Sequence, residues 1–222
     1  IHRHNGIASV RFQFAEAPSS TKAKFVKPYL NMPTYSYFDS FSIALTVWPS
    51  MGMTRAPMVS AEQPSPKLVE QAHRFVYDQH HLWRTSMPEY LGNQCMEVTT
   101  RLYVLLNSRG ITADIVIGSV STDQTQFYRC DVQYLRDIAT QTVDETAPID
   151  LHAWITLGGD SVIDYALPSK LARSHGAPSN FMDAGFCADA TGFAKCMGVF
   201  YEPMLVGSQY LAVVNSADPH DV

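Results

Sequence analysis

Charge is scarce in this 222-residue chain, and positive charge never gathers. Asp, Glu, Lys and Arg make up 17% of the residues, against ~25% in ordinary globular proteins. Lys and Arg number 16 against 21 Asp and Glu, so the net charge is −5. A nucleic-acid partner needs a basic stripe to neutralise phosphates, and none is expected here. Long apolar runs are missing too. None approaches the ~18 residues that a membrane-crossing helix needs, so no membrane partner is expected. Cysteine is limited to positions 95, 130, 187 and 196, with no C-x-x-C pair. That excludes a disulfide scaffold and favours a reducing setting, although Cys187 and Cys196 could pair in an oxidising one. Internal repeats and low-complexity tracts are absent. The first residue is Ile1 rather than methionine. The chain therefore reads as a processed or truncated piece, a targeting segment can be missing from it, and a cytoplasmic or delivered-effector setting is favoured.

What is present is an ordinary core. The hydrophobic share is 46%, and the length suits one sizeable domain that needs no covalent staples. Residues 8–14 alternate, with Val10, Phe12 and Phe14 on one face, and read as a strand. Residues 40–48 are aromatic and β-branched and read as another. Residues 49–66 hold five prolines or glycines and three methionines, a loop long enough to serve as a lid or substrate-facing segment. Ser65 and Pro66 suit the N-cap and first position of a helix, which the stripe Val69, Ala72, Val76 and Trp83 carries to about 83.

The clearest element follows Gly92-Asn93-Gln94. Cys95, Val98, Thr99, Leu102, Leu105 and Leu106 recur at helical spacing, and Gly110 stands where a left-handed cap is expected. A strand over 111–120 comes next. Residues 121–150 read as polar and irregular, with a short helix near 131–139. Residues 152–164 read as a hairpin, 166–186 as loop, and 198–201 and 210–214 as closing strands. The chain divides into N-terminal strands and a Pro-rich loop (1–64), a core (65–166) and a C-terminal loop with closing strands (167–222), all within one domain. Helices first and strands after make an α+β pattern.

Three residues in that core carry chemistry. A thiol attacks only as thiolate, and free thiols titrate near ~8.5, so a nucleophilic cysteine needs a helix N-terminus or an imidazolium beside it. Cys95 stands in the first turn of its helix. The unpaired backbone N–H groups at 95 and 96, with the Gln94 side chain as an extra donor, can hold an oxyanion, so Gln94 and Met96 are the supporting residues. His152 opens a strand in which Ala153, Ile155 and Leu157 face the core. His152, Trp154 and Thr156 face the other way, and Trp154 is expected to wall a substrate groove. Turn parity decides whether Asp164 can reach His152. A two-residue turn at Gly158-Gly159 puts them on opposite faces. A three-residue turn at 158–160 pairs 152 with 166 and makes Asp164 a diagonal neighbour on the same face. The odd-length turn is the expectation.

Gly92-x-Gln94-Cys95 with its helix, Gly110-Ile111-x-Ala113-x-Ile115-Val116-x-Gly118, His152-Ala153-Trp154-Ile155 and Val162-Ile163-Asp164 together resemble the transglutaminase-like superfamily of cysteine enzymes. The resemblance covers about residues 90–166. It implies a papain-like core, a nucleophile helix packed on an antiparallel sheet, here with N- and C-terminal additions. It also implies Cys95 as nucleophile, His152 as general base and acid and Asp164 as its orienter, acting on a protein or peptide amide without a cofactor. Met96 stands where crosslinking members commonly carry an aromatic residue, and no acidic cluster resembles their calcium sites. Attack on an amide followed by hydrolysis (peptidase, amidase or glutamine deamidase) is the favoured outcome, because water needs no second-substrate site. Transfer to an amine, as in a transglutaminase or acetyltransferase, and a non-catalytic binding module on the same fold are the alternatives. No metal site is expected. His73, His80 and His81 read as a solvated helix face, and Cys187, Cys196, Asp183 and Asp189 as an ordinary loop.

Overall fold

The computed structural model describes residues 35–123, 125–140 and 150–214. Every element below lies in one unit that begins at Ser36. The strand expected over 8–14 lies outside the described residues.

The first element corrects the reading of 40–48. Tyr37–Ala44 is a helix, α1, followed by a 3₁₀ turn at Trp48–Met51. Ser36 caps α1 by accepting a hydrogen bond from Asp39 N at 3.2 Å. The buried residues Tyr37, Phe41 and Ala44 fall at helical spacing. Aromatic content masked that period, and the cap decides it.

Helix α2 spans Pro66–Asp78 and α3 spans His80–Arg84. They form where one helix to 83 was expected, and Gln79 separates them. Ser65 Oγ accepts from Leu68 N at 3.2 Å. Its loss in Ser65→Ala is expected to lower stability by about 1 kcal/mol, read as a lower urea midpoint at unchanged slope. An unchanged midpoint would mean that the cap adds nothing. The neighbouring histidines do not form a solvated face. His81 is exposed, but His73 Nε2 and His80 Nε2 are buried without hydrogen-bond partners, and His80 packs on Trp83 and Tyr165.

Helix α4 runs Cys95–Ser108. It ends where Gly110 adopts φ +78° and Ile111 N reaches back to Leu106 O, the left-handed cap the sequence called for. Strand β1 (Asp114–Thr122) follows, then β2 (Gln126–Tyr128) and α5 (Val132–Ala139). The hairpin is β3 (His152–Thr156) and β4 (Ser161–Asp164). Helix α6 (Leu167–Ser174) and a 3₁₀ turn at Ser179–Asp183 occupy the stretch expected to be loop. Strand β5 (Phe186–Asp189), helix α7 (Ala190–Met197) and strand β6 (Val199–Val206) close the sheet. The expected closing strand at 210–214 is instead helix α8, Gln209–Val213. Gly207, at φ +140°, breaks the strand there. Five apolar residues in a row carry no period that separates helix from strand.

All strand pairs are antiparallel, in the order β2-β1-β3-β4-β5, with β6 also on β1. Gly118 pairs with His152, and Val120 pairs with Tyr128. Strands β3 and β2 therefore follow one another along the same edge of β1, and Tyr128 comes beside His152. One sheet face packs on α4 through Ile115, Ile117, Ala153, Ile155 and Ile163. The other carries Trp154 and Tyr201, with Tyr37 of α1 reaching the Trp154 indole. This is mixed helix and antiparallel sheet, α+β. Among the described residues no helix is long and apolar enough to cross a membrane.

The 49–66 segment is not aimed at the N-terminus of α4. Met58 N donates to Asp114 Oδ2 at 2.7 Å, and Thr54 N and Arg55 N donate to Gln209 Oε1. Ser60 O accepts from Gly159 N in the hairpin turn. These bonds fasten it to the far end of β1 and β3.

Candidate active site

The register of one hairpin decides the site. Ile155 pairs with Ile163, which sets the odd-length turn and puts His152 and Asp164 on one face. His152 Nε2 lies 2.6 Å from Asp164 Oδ2, and both side chains are buried. Gly158 and Gly159 sit at φ +105° and +54° in the turn, a conformation open to glycine at no steric cost. Ser161 Oγ accepts from Leu157 N at 2.7 Å and fixes the turn further.

Asp164 has all its acceptor capacity used. Oδ2 also accepts from Tyr201 Oη at 3.0 Å. Oδ1 accepts from Ala166 N at 2.9 Å and Leu167 N at 3.1 Å. A carboxylate with four donors is held in one orientation. Burial on its own would push the His152 imidazole toward its neutral form. The Asp164 charge and hydrogen bond outweigh that, Cys95 adds to them, and the ring is pushed up to about 9.

Cys95 reaches this pair from α4. Thr99 Oγ1 donates to Ala153 O at 3.1 Å, locking the helix's first turns onto the start of β3. Tyr128 Oη donates to Gly92 O at 3.0 Å, and Leu91 N donates to Ser169 Oγ at 3.2 Å. Together they hold the turn before the cysteine. The Cys95 thiol points at Leu151 O, 3.9 Å away. It raises the imidazole pKa both as a hydrogen-bonding neighbour and through its charge, but the contact is too loose to count as a formed bond, and His152 Nδ1 is left without a partner. The nitrogen that Asp164 leaves free is thus the one available to the thiol.

The helix start is uncapped. Gln94 makes no side-chain cap bond, and the first intrahelical bond is Val98 N to Gln94 O. The N–H groups of Cys95, Met96 and Glu97 therefore have no acceptor within the helix. Gln94 and Met96 both border the open space in front of Cys95, with the Met96 side chain packed against the core.

Trp154 is a correction. It is fully buried, its Nε1 donates to Tyr37 Oη at 3.2 Å, and it stacks on His152 and meets Tyr201 edge-on. Strand alternation places it on the His152 face as expected, but α1 covers that face, so it walls no groove. Tyr128 fills the role that sequence reasoning gave to Trp154. Its ring stacks on His152 at 4.7 Å. Burial, then the nearby Cys95 and Asp164, holds its phenol above the ordinary value. It stays an O–H donor that shields the imidazole. The alternation of Gln126-Phe127-Tyr128 is a faint strand signal, and only the β1 pairing shows what it is for.

In front of Cys95 lies an open groove of about 1480 Å³. Gly92, Asn93, Tyr128, Asp150, Leu151 and Lys170 surround its cysteine end, and Thr100, Arg101, Val104, Leu105 and Ser108 carry it along α4. Arg101 is paired with Glu97 at 2.8 Å. The four cysteines are free. Burial pushes Cys130 and Cys187 up to about 12, and Cys196 is exposed. Among the described residues no group of three or more His, Cys, Asp or Glu could hold a metal ion. Comparison with protein-family models, with curated proteins and with solved structures finds no match to this chain.

Proposed function

We propose that this protein is a cysteine-nucleophile acyl-transfer enzyme that hydrolyses an amide of a protein or peptide, on a papain-like core of the transglutaminase-like type. The observation that carries the reading is the buried His152–Asp164 pair, with its one unpartnered nitrogen beside a cysteine at an uncapped helix N-terminus. The thiol proton resides on His152 Nδ1, which makes the ring an imidazolium, and Cys95 Sγ bonds as thiolate to the amide carbonyl carbon. The N–H groups of Cys95 and Met96, with the Gln94 amide beside them, face the developing oxyanion. His152 returns the proton to the departing nitrogen as the C–N bond breaks. Water, deprotonated by His152, then attacks the thioester, and the thiolate leaves. The groove supports an extended substrate. It exceeds the ~300–1,000 Å³ of ordinary small-molecule pockets and follows a 14-residue helix.

Iodoacetamide labelling across pH, read by mass at each cysteine, tests the reading. Cys95 is expected to react below pH 7, where an unassisted thiol is almost wholly protonated. Cys130 and Cys187 stay inert, and exposed Cys196 serves as the reference thiol in the same sample. Labelling of Cys95 no faster than Cys196 at pH 6 removes the activated thiol, and with it the enzyme.

A further inference from the structure

We propose that Lys170 selects substrates that carry a carboxylate next to the amide attacked by Cys95, an inference that rests on the thiol-enzyme reading above. Lys170 lies on α6 and borders the groove at its cysteine end. Its Nζ stands 3.9 Å from the centre of the Tyr128 ring, the same ring that stacks on His152. The π face holds the ammonium in place without neutralising it.

The charges around the groove leave that ammonium unanswered. Glu97 and Arg101 answer one another. Among the described residues no carboxylate lies within ion-pair distance of Lys170. Asp150 acts on it from farther away, but Asp150 is exposed and its influence is screened by solvent. Lys170 itself is half-buried, and burial disfavours its charge. A half-desolvated cation with no carboxylate partner among the described residues is stabilised by an anion that enters the groove. Cys95 is among the groups that act on Lys170, so the anion it holds sits close to the carbonyl under attack. A substrate with an acidic residue or a free C-terminal carboxylate beside the cleaved amide meets that description.

Two alkylating reagents isolate the charge. Iodoacetate and iodoacetamide share a leaving group and differ by a carboxylate against an amide. The intact protein is treated with each, and rates are read at Cys95 and, in the same sample, at Cys196 as internal reference. Iodoacetate is expected to gain on iodoacetamide at Cys95 relative to Cys196. Lys170→Met keeps the length of the stem on Tyr128 and is expected to lower that ratio about five- to tenfold, with recovery in Lys170→Arg, by the size of a single partly screened charge interaction. Raising salt from about 0.05 to 0.5 M should shrink the ratio in the wild type and not in Lys170→Met. A ratio unmoved by Lys170→Met overturns the carboxylate proposal while leaving the thiol enzyme intact, provided Cys95 still reacts with iodoacetamide below pH 7. A Cys95 inert to both reagents overturns the underlying reading instead.

Discussion

Asp164→Asn, isosteric with the wild type, is expected to lower stability by about 3–5 kcal/mol at pH 6 and, on the thiol-enzyme reading proposed above, amide turnover by about 10³–10⁴-fold. The reason is the number of donors around the carboxylate. Ala166 N and Leu167 N donate to one oxygen, and His152 Nε2 and Tyr201 Oη to the other. An asparagine must turn its NH₂ toward one of these pairs. If it faces the backbone, two donors oppose a donor in a buried site. If it faces His152, Nε2 must become the acceptor and Nδ1 must carry the proton. The nitrogen beside Cys95 then can no longer take the thiol proton. Either arrangement damages both fold and chemistry.

The pH dependence of the loss has a definite sign. The His152 value in the folded chain, about 9, lies above its ordinary 6.5. Its share of stability is therefore complete below about 6.5 and is lost as pH rises through about 9. Asp164→Asn lacks that share, so its deficit against wild type is largest near pH 6 and narrows above pH 9. Urea unfolding of both proteins at pH 6 and pH 9.5 measures it. A deficit of equal size at both pH values would mean that His152 is not charged against Asp164 in the folded protein. Tyr201→Phe removes one of four donors and is the milder control, at about 1 kcal/mol.

The parts of this site that could be seen in the sequence were those with local grammar. Cys95 sits between Gly92 and an amphipathic helix closed by Gly110. His152 and Asp164 flank a Gly158-Gly159 turn whose parity offers only two outcomes. Both signals depend on residues a few positions apart, and helix spacing or strand alternation transmits them directly. Tyr128, Tyr201 and Lys170 have no such grammar. They reach His152, Asp164 and the groove only because β2, β6 and α6 return to one place through long-range pairing. The error at Trp154 has the same origin. Alternation gave its face, but whether that face is open depended on α1, whose aromatic residues imitated a strand. In the same way, α8 and α6 were missed because short apolar or mixed segments carry too few periods to choose a conformation.

Gly118→Ala tests that long-range frame directly, and is expected to lower stability by about 3 kcal/mol or more, enough to make the chain aggregate or unfold near 37 °C. Gly118 lies opposite His152 on β1 and opposite Pro203 on β6, beside an irregularity in that pairing. A Cβ there would stand 2.1 Å from Glu202 O and 3.0 Å from Trp154 Cη2. The closer atom is backbone, so no rotamer change relieves it. Either β6 must move away from β1, or β1 must shift and take His152 with it. Gly110→Ala supplies the contrast. Its Cβ meets nothing within 4 Å, but its φ is +78°, so only the left-handed backbone strain of about 1 kcal/mol is expected. Thermal melts of the two variants should therefore separate widely, with Gly118→Ala far lower. Equal melting temperatures would contradict the β1–β6 register. They would also loosen the placement of Tyr201 against Asp164, because that contact reaches the site through the same strand pair. If Gly118→Ala folds at low temperature, Cys95 labelling at pH 6 should fall with the displacement of β1, since His152 is carried on the strand that pairs with it.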